Sequence, residues 1–200
     1  RDVRWVGQRL TGGTCGLSGT TLTASTLEVA FDAAGVDAGA VVLLDEAPYE
    51  VVSRTSGVVL EVSRLRGSLS DASIPGLPVS SGAMSVATFE PQISMVARQV
   101  LRLAGIDSQD ASSSPGASDV VNGDELRRVV ALGALHLIFA AAGAPGGSSD
   151  GAASTWSARA AWYRERFSSE RARVSVLLDL DGNGEVDAAR RLDVGRLVRG

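Results

Sequence analysis

The nine residues Asp179-Leu180-Asp181-Gly182-Asn183-Gly184-Glu185-Val186-Asp187 decide how the end of this chain folds. Two readings compete for them. Oxygen-bearing side chains at loop positions 1, 3, 5 and 9, with Gly at 6, are what a hard cation such as calcium requires. The same residues make a hairpin turn if the apolar runs on either side are strands. A twelve-residue calcium loop between two helices ends in a bidentate Glu, and here the twelfth position is Arg190. That places a cation where the last coordinating carboxylate belongs. Val174 and Val176 before the loop are β-branched, as strands prefer. The hairpin is therefore the expected form, with no metal bound; Asp179, Asp181, Asn183 and Asp187 are the ligands a calcium site would use. Residues 174–180 and 194–198 are the expected flanking strands.

Working back from the loop, the next element is the most legible. Trp156, Ala160, Tyr163, Phe167 and Val174 fall on one face of a helix over residues 154–173. Arg159, Arg166 and Arg173 line one flank at intervals of seven, and Arg164 and Arg171 line the other. Trp162 lies off the apolar stripe, which predicts a contact with another copy or with the first half of the chain. The arginines read as a solvated face with packed stems, or as a surface for an acidic partner. An earlier helix starts at Asn122, with Glu125 three residues on as a capping box, and ends near Gly143. It is apolar all round from Val129 to Ala142, as a helix central in a bundle or between subunits would be. At 14 residues that stretch is too short for a membrane span. A first helix over residues 89–104 has Pro91 in its first turn and Gly105 as its stop. The Ser-rich stretch 107–118 reads as a loop.

Near residue 88 the character changes. Residues 1–87 are rich in Val, Thr, Ser and Gly, with strand candidates at 20–23, 27–31, 41–44, 49–53 and 58–63. Asp45-Glu46-Ala47-Pro48 reads as a tight turn, residues 53–57 as a second, and 67–82 as a loop or linker. So small a meander needs closure to hide its edges. The expected architecture is α+β: a small β-barrel or meander over 1–87, then a three-helix bundle with a C-terminal β-hairpin over 88–200.

Composition excludes several chemistries. The chain has 200 residues, and 44% of them are hydrophobic, which suits folded domains. All 19 basic residues are arginine, which removes a phosphate-binding Lys loop and any catalytic Lys. One His and one Cys leave no zinc cluster and no internal disulfide. A net charge of −4 does not suit a general nucleic-acid binder. No signal peptide opens the chain, and its start at Arg1 implies a natural protein beginning a few residues earlier. His136, between Leu135 and Leu137, reads as a satisfied core or interface histidine. Cys15 and Ser18 are the available nucleophiles, yet no base accompanies Cys15, and Gly16-Leu17-Ser18-Gly19 lacks the glycine spacing of a nucleophile elbow. No catalytic constellation or cofactor is expected; a hydrolase acting through Cys15 or Ser18 is the rival enzyme reading.

Residues 126–142, Ala158-Arg159-Ala160-Ala161-Trp162-Tyr163-Arg164-Glu165-Arg166-Phe167 and residues 178–200 together resemble the head–tail adaptor (connector) proteins of long-tailed bacteriophages and gene transfer agents. The resemblance covers about residues 89–200 and leaves the β-rich first half as a departure. It implies a structural virion protein of the neck, assembled in the host cytoplasm into a ring, usually of twelve copies. It further implies contacts with the portal and with a stopper or other neck protein. Genomic DNA would pass through the lumen without sequence-specific binding, and no membrane would be involved. Trp162, Arg159 and Arg166 are the interaction residues this reading favours. So is the tail Arg196-Leu197-Val198-Arg199, which would add to a sheet edge of a neighbour, most naturally the portal. The alternative is a calcium-dependent surface or adhesion module built on the 179–187 loop.

Overall fold

The computed structural model describes residues 8–68, 70–106, 115–143 and 150–192, without the side chains of 150–154. The chain divides into two compact units, Gly7–Phe89 and the part from Glu90 onward. The fold is α+β as expected: an antiparallel barrel of six strands, then three helices and a strand pair.

Six strands build the barrel: β1 (Gln8–Ser18), β2 (Thr21–Leu27), β3 (Val41–Leu44), β4 (Ala47–Arg54), β5 (Val59–Ser63) and β6 (Val79–Thr88). They pair in the order β1-β2-β5-β4-β3-β6, and β6 returns to β1. Closure removes the sheet edges that a short meander would otherwise expose. Alternation places Cys15, Leu17, Leu22, Val42, Leu44, Leu60, Val62 and Val86 inside, as the period of two requires.

Three features differ from expectation. Residues 8–18 and 79–88 are strands, although the first stretch is glycine-rich and the start of the second falls in the expected linker. Gly13 earns its place in β1: a Cβ there would run into the Thr26 carbonyl oxygen on β2, so the two backbones approach as only glycine allows. The stretch 27–31 is not a strand. β2 ends at Leu27, and Phe31 and Val36 sit fully buried in the following turns as part of the barrel core. The β3–β4 turn is Asp45-Glu46 alone, both with positive φ (45° and 68°), and Ala47 and Pro48 already belong to β4.

A two-residue hairpin turn with positive φ at both positions matches the strand twist and favours Asp-Gly. Asp45 also ties the turn to β6, its Oδ1 accepting from Ala83 N at 2.9 Å. Glu46 carries the left-handed strain without such a bond among those described. Glu46→Gly is therefore expected to stabilise the barrel by about 1 kcal/mol, read as a higher urea midpoint at unchanged slope.

In the second unit, α1 (Glu90–Leu103), α2 (Gly123–Ala142) and α3 (Asp150–Arg173) are followed by β7 (Ser175–Leu178) and β8 (Ala188–Arg191). The core joins Val96 and Val100 of α1, Leu126 and Val129 of α2, Val176 and Leu178 of β7, and Leu192. Gly133 lets the helices approach closely, since a Cβ there would stand 2.6 Å from Val96 Cγ1 and 3.1 Å from the Phe167 ring.

The expected capping box at Asn122 is corrected. Its side chain makes no cap bond to the α2 backbone. Asn122 Nδ2 donates instead to Ser175 O (2.8 Å) and Glu125 Oε2 (2.9 Å), and Asn122 Oδ1 accepts from Leu177 N (3.0 Å). The carboxamide thus imitates one residue of a strand beside β7. Val121 N donating to Leu177 O and Asp179 N donating to Asp119 O extend that pairing. The 119–122 segment consequently covers the free edge of β7.

Candidate functional site

The 179–187 loop joins β7 and β8, which pair antiparallel with Leu178 opposite Ala188. The hairpin reading holds, but the strand that pairs with β7 is 188–191 and not the expected 194–198, because Ala188 meets Leu178 directly after the loop. All of residues 194–198 lie outside the described residues, as does the tail Arg196, Leu197, Val198 and Arg199.

Asp179 organises the turn. Its Oδ1 accepts from Gly182 N (2.7 Å) and Asn183 N (3.2 Å), and its Oδ2 from Gly184 N (2.8 Å). Gly182 and Gly184 supply the positive φ that aims these amides inward. Asp187 Oδ2 accepts from Leu180 N at 2.7 Å, closing the base of the loop. The amide of Gly184 above all, then those of Gly182 and Asn183, hold the Asp179 carboxyl below its ordinary value. A depressed carboxylate pKa favours the folded turn above the unfolded value and loses that contribution as pH falls through the folded one. The Gly184 amide resonance is accordingly expected to titrate below the normal aspartate range. A midpoint at or above that range would show that the carboxylate does not hold the turn.

The carboxylates of Asp179, Asp181 and Asp187 bring one oxygen each within 4.8 Å of one another. The Arg190 guanidinium is elsewhere: Nη1 donates to Ala104 O (2.9 Å) and Gly105 O (3.3 Å), capping the C-terminal end of α1. The expectation that Arg190 would set a cation in the loop is therefore corrected. Three carboxylates with the Asn183 carboxamide beside them are a donor set that a hard cation accepts.

A second cluster lies between α2 and α3. The Phe139 ring stacks on Trp156 (5.5 Å) and Tyr163 (5.3 Å), and Trp162 meets Tyr163 edge-on (4.8 Å). Arg159 stands over both Phe139 and Trp156, and Arg166 over Trp162 at 4.9 Å. These guanidiniums lie over aromatic faces on an exposed flank of α3. Trp162 is 50% exposed, and α2 from Leu135 to Ala140 is only half-buried despite its apolar composition. The off-stripe position of Trp162 thus does put an aromatic ring on the surface of its unit.

His136 is satisfied as expected, with Nδ1 at 3.0 Å from the Ala160 carbonyl on α3. A carbonyl can only accept, so Nδ1 carries the proton. Cys15 is fully buried inside the barrel. Burial first, and the nearby Asp45 charge second, push its thiol up to about 11. A thiol held neutral is a poor nucleophile. Cys15 is expected to resist thiol reagents in the folded protein and to react fully in denaturant; rapid modification of the folded chain would revive the hydrolase reading.

No family model, curated protein or solved structure matches this chain. Among the described residues, no helix is long and apolar enough to cross a membrane.

Proposed function

We propose that this chain is a structural virion protein of the head–tail neck. In this reading it forms a ring, of about twelve copies as the adaptor resemblance implies, between the portal and the next neck protein. The ring continues the channel through which genomic DNA passes. The observation that carries the reading is the aromatic–arginine face of the second unit. Trp, Tyr and Arg are the residues that dominate binding energy at protein interfaces. Here Trp162, Arg159 and Arg166 lie together beside a half-covered apolar helix. The chain's net charge of −4 suits a channel along which DNA slides without sticking. The raised Cys15 pKa counts against the rival reading of a hydrolase acting through that thiol.

Two measurements test it together: a protein inventory of purified particles, and a native mass of the isolated protein alone and with portal. Its presence in particles and a ring-sized assembly with portal are the expected results. Its absence from particles, with no assembly under either condition, would overturn the reading.

The calcium module is kept as a second reading because one observation favours it, the three converging carboxylates with Arg190 turned away. Calcium decides between the two. The neck reading expects melting in about 5 mM calcium to stay within about 1 °C of melting in chelator. A site filled to a hundred times its Kd would add about 2.7 kcal/mol and raise the transition by about 5 °C or more.

A further inference from the structure

The described part of the second unit has a half-open pocket of about 380 Å³ among α1, α2 and α3. Val96, Gly133 and Phe167 contribute apolar walls, and Gln99, His136, Arg164 and Arg171 contribute polar ones. Arg164 and Arg171 are seven residues apart on one flank of α3. Arg127 is engaged by Asp124, and Arg128 by Glu170. Arg164 and Arg171 form no ion pair with any described residue, although Arg171 lies over the Phe167 ring at 5.6 Å. His136 spends Nδ1 on Ala160, which leaves Nε2 for a ligand. Two arginines lining one pocket from the same flank of α3 suit carboxylates, which their planar forks grip bidentately.

The same unit carries the complementary group. Asp181, Glu185 and Asp187 are exposed on the β7–β8 loop, and none pairs with an arginine among the described residues. Within one copy, the loop and the pocket form no ion pair with each other. A protein that carries on one unit a cationic pocket and an acidic projection, neither in an ion pair among the described residues, has both halves of a self-complementary contact.

We propose that the Arg164–Arg171 pocket receives the acidic 179–187 loop of a second copy of this chain, joining copies head to tail. Such a contact uses two different surfaces, so it continues from copy to copy and forms a ring when the rotation closes. It rests on the ring reading above and names the surfaces that reading requires.

The test uses two variants of the full chain. In the first, Arg164→Glu and Arg171→Glu reverse the pocket; in the second, Asp181→Arg and Glu185→Arg reverse the loop. Arg164, Asp181 and Glu185 are exposed, and unchanged circular dichroism and melting would verify that both variants fold. Sedimentation velocity is expected to show wild-type self-association that weakens about tenfold or more between low and high salt. Each variant alone should be monomeric, and an equimolar mixture should associate again, because each supplies the charge the other now needs. Association unaffected by the reversals would overturn the proposal, as would a mixture that stays monomeric. A wild type that remains monomeric at high concentration but is found in particles would sink this contact and leave the neck reading standing. Absence from particles would count against that reading instead. Tight binding of inorganic phosphate by a monomeric wild type would reassign the pocket to a small anion and also overturn the proposal.

Discussion

Replacing Asn122 by Asp is expected to destabilise the second unit by about 3 kcal/mol. The change is nearly isosteric, so packing stays the same and chemistry alone differs. Asn122 Nδ2 donates to Ser175 O and to Glu125 Oε2; a carboxylate oxygen in its place would face a carbonyl at 2.8 Å and a second carboxylate at 2.9 Å. Only the bond from Leu177 N survives. Two lost bonds of about 1 kcal/mol each, with added like-charge repulsion, give the total. The loss should be largest at neutral pH and shrink as acid protonates the new carboxyl. Amide exchange of the 175–178 strand should accelerate before the rest of the unit. A variant as stable as wild type, with Leu177 still protected, would show that the carboxamide does not hold the hairpin to α2.

An effect of similar size is expected in the barrel at Arg66. Its Nε donates to Glu50 Oε1 at 2.5 Å, with the two side chains only 8% and 19% exposed. Nη1 donates to Asp71 O at 2.9 Å, which fastens the long β5–β6 connection against β4. Arg66→Met keeps the stem and removes the cation, leaving Glu50 half-buried and uncompensated. Breaking such a pair from one side costs about 3–5 kcal/mol. In a unit of this size that lowers the barrel transition by more than about 10 °C in calorimetry. The double variant Arg66→Met/Glu50→Gln should recover most of the loss, because it removes the stranded charge as well. If the single variant melted within about 2 °C of wild type, the pair would be a surface ornament and not a fastening.

The comparison of sequence and structure turns on the physical range of each signal. Helix α3 was legible to within a few residues because one apolar stripe recurs over many turns, and periodicity is a local property. The hairpin at 179–187 was legible because Gly182 and Gly184 sit where the turn needs positive φ. β1 was not, because its glycines read as a loop; Gly13 is demanded by the β2 backbone across from it, a neighbour from another part of the sequence. Residues 27–31 look like a strand because Leu27, Val29 and Phe31 alternate, yet β2 ends at Leu27, Val29 is exposed and Phe31 alone is fully buried, as a plug. The capping box at Asn122 has the right spacing, yet the side chain is diverted by β7, more than fifty residues later in the chain.

The candidate site divides along the same line. Its residue types were visible: the acidic loop, the off-stripe Trp162 and two arginine rows. Composition alone removed lysine chemistry, a zinc cluster and an internal disulfide. Tertiary structure alone decided where each charge went. It turned Arg190 from the loop to the end of α1, laid Arg159, Arg166 and Arg171 over aromatic rings, and set Arg164 and Arg171 in the lining of one pocket. Local sequence determines which backbone states are affordable, and so fixes helices, turns and the separation of a β-rich half from a helical one. The partner of a long polar side chain depends on which elements pack against it, and only the folded chain brings those elements together.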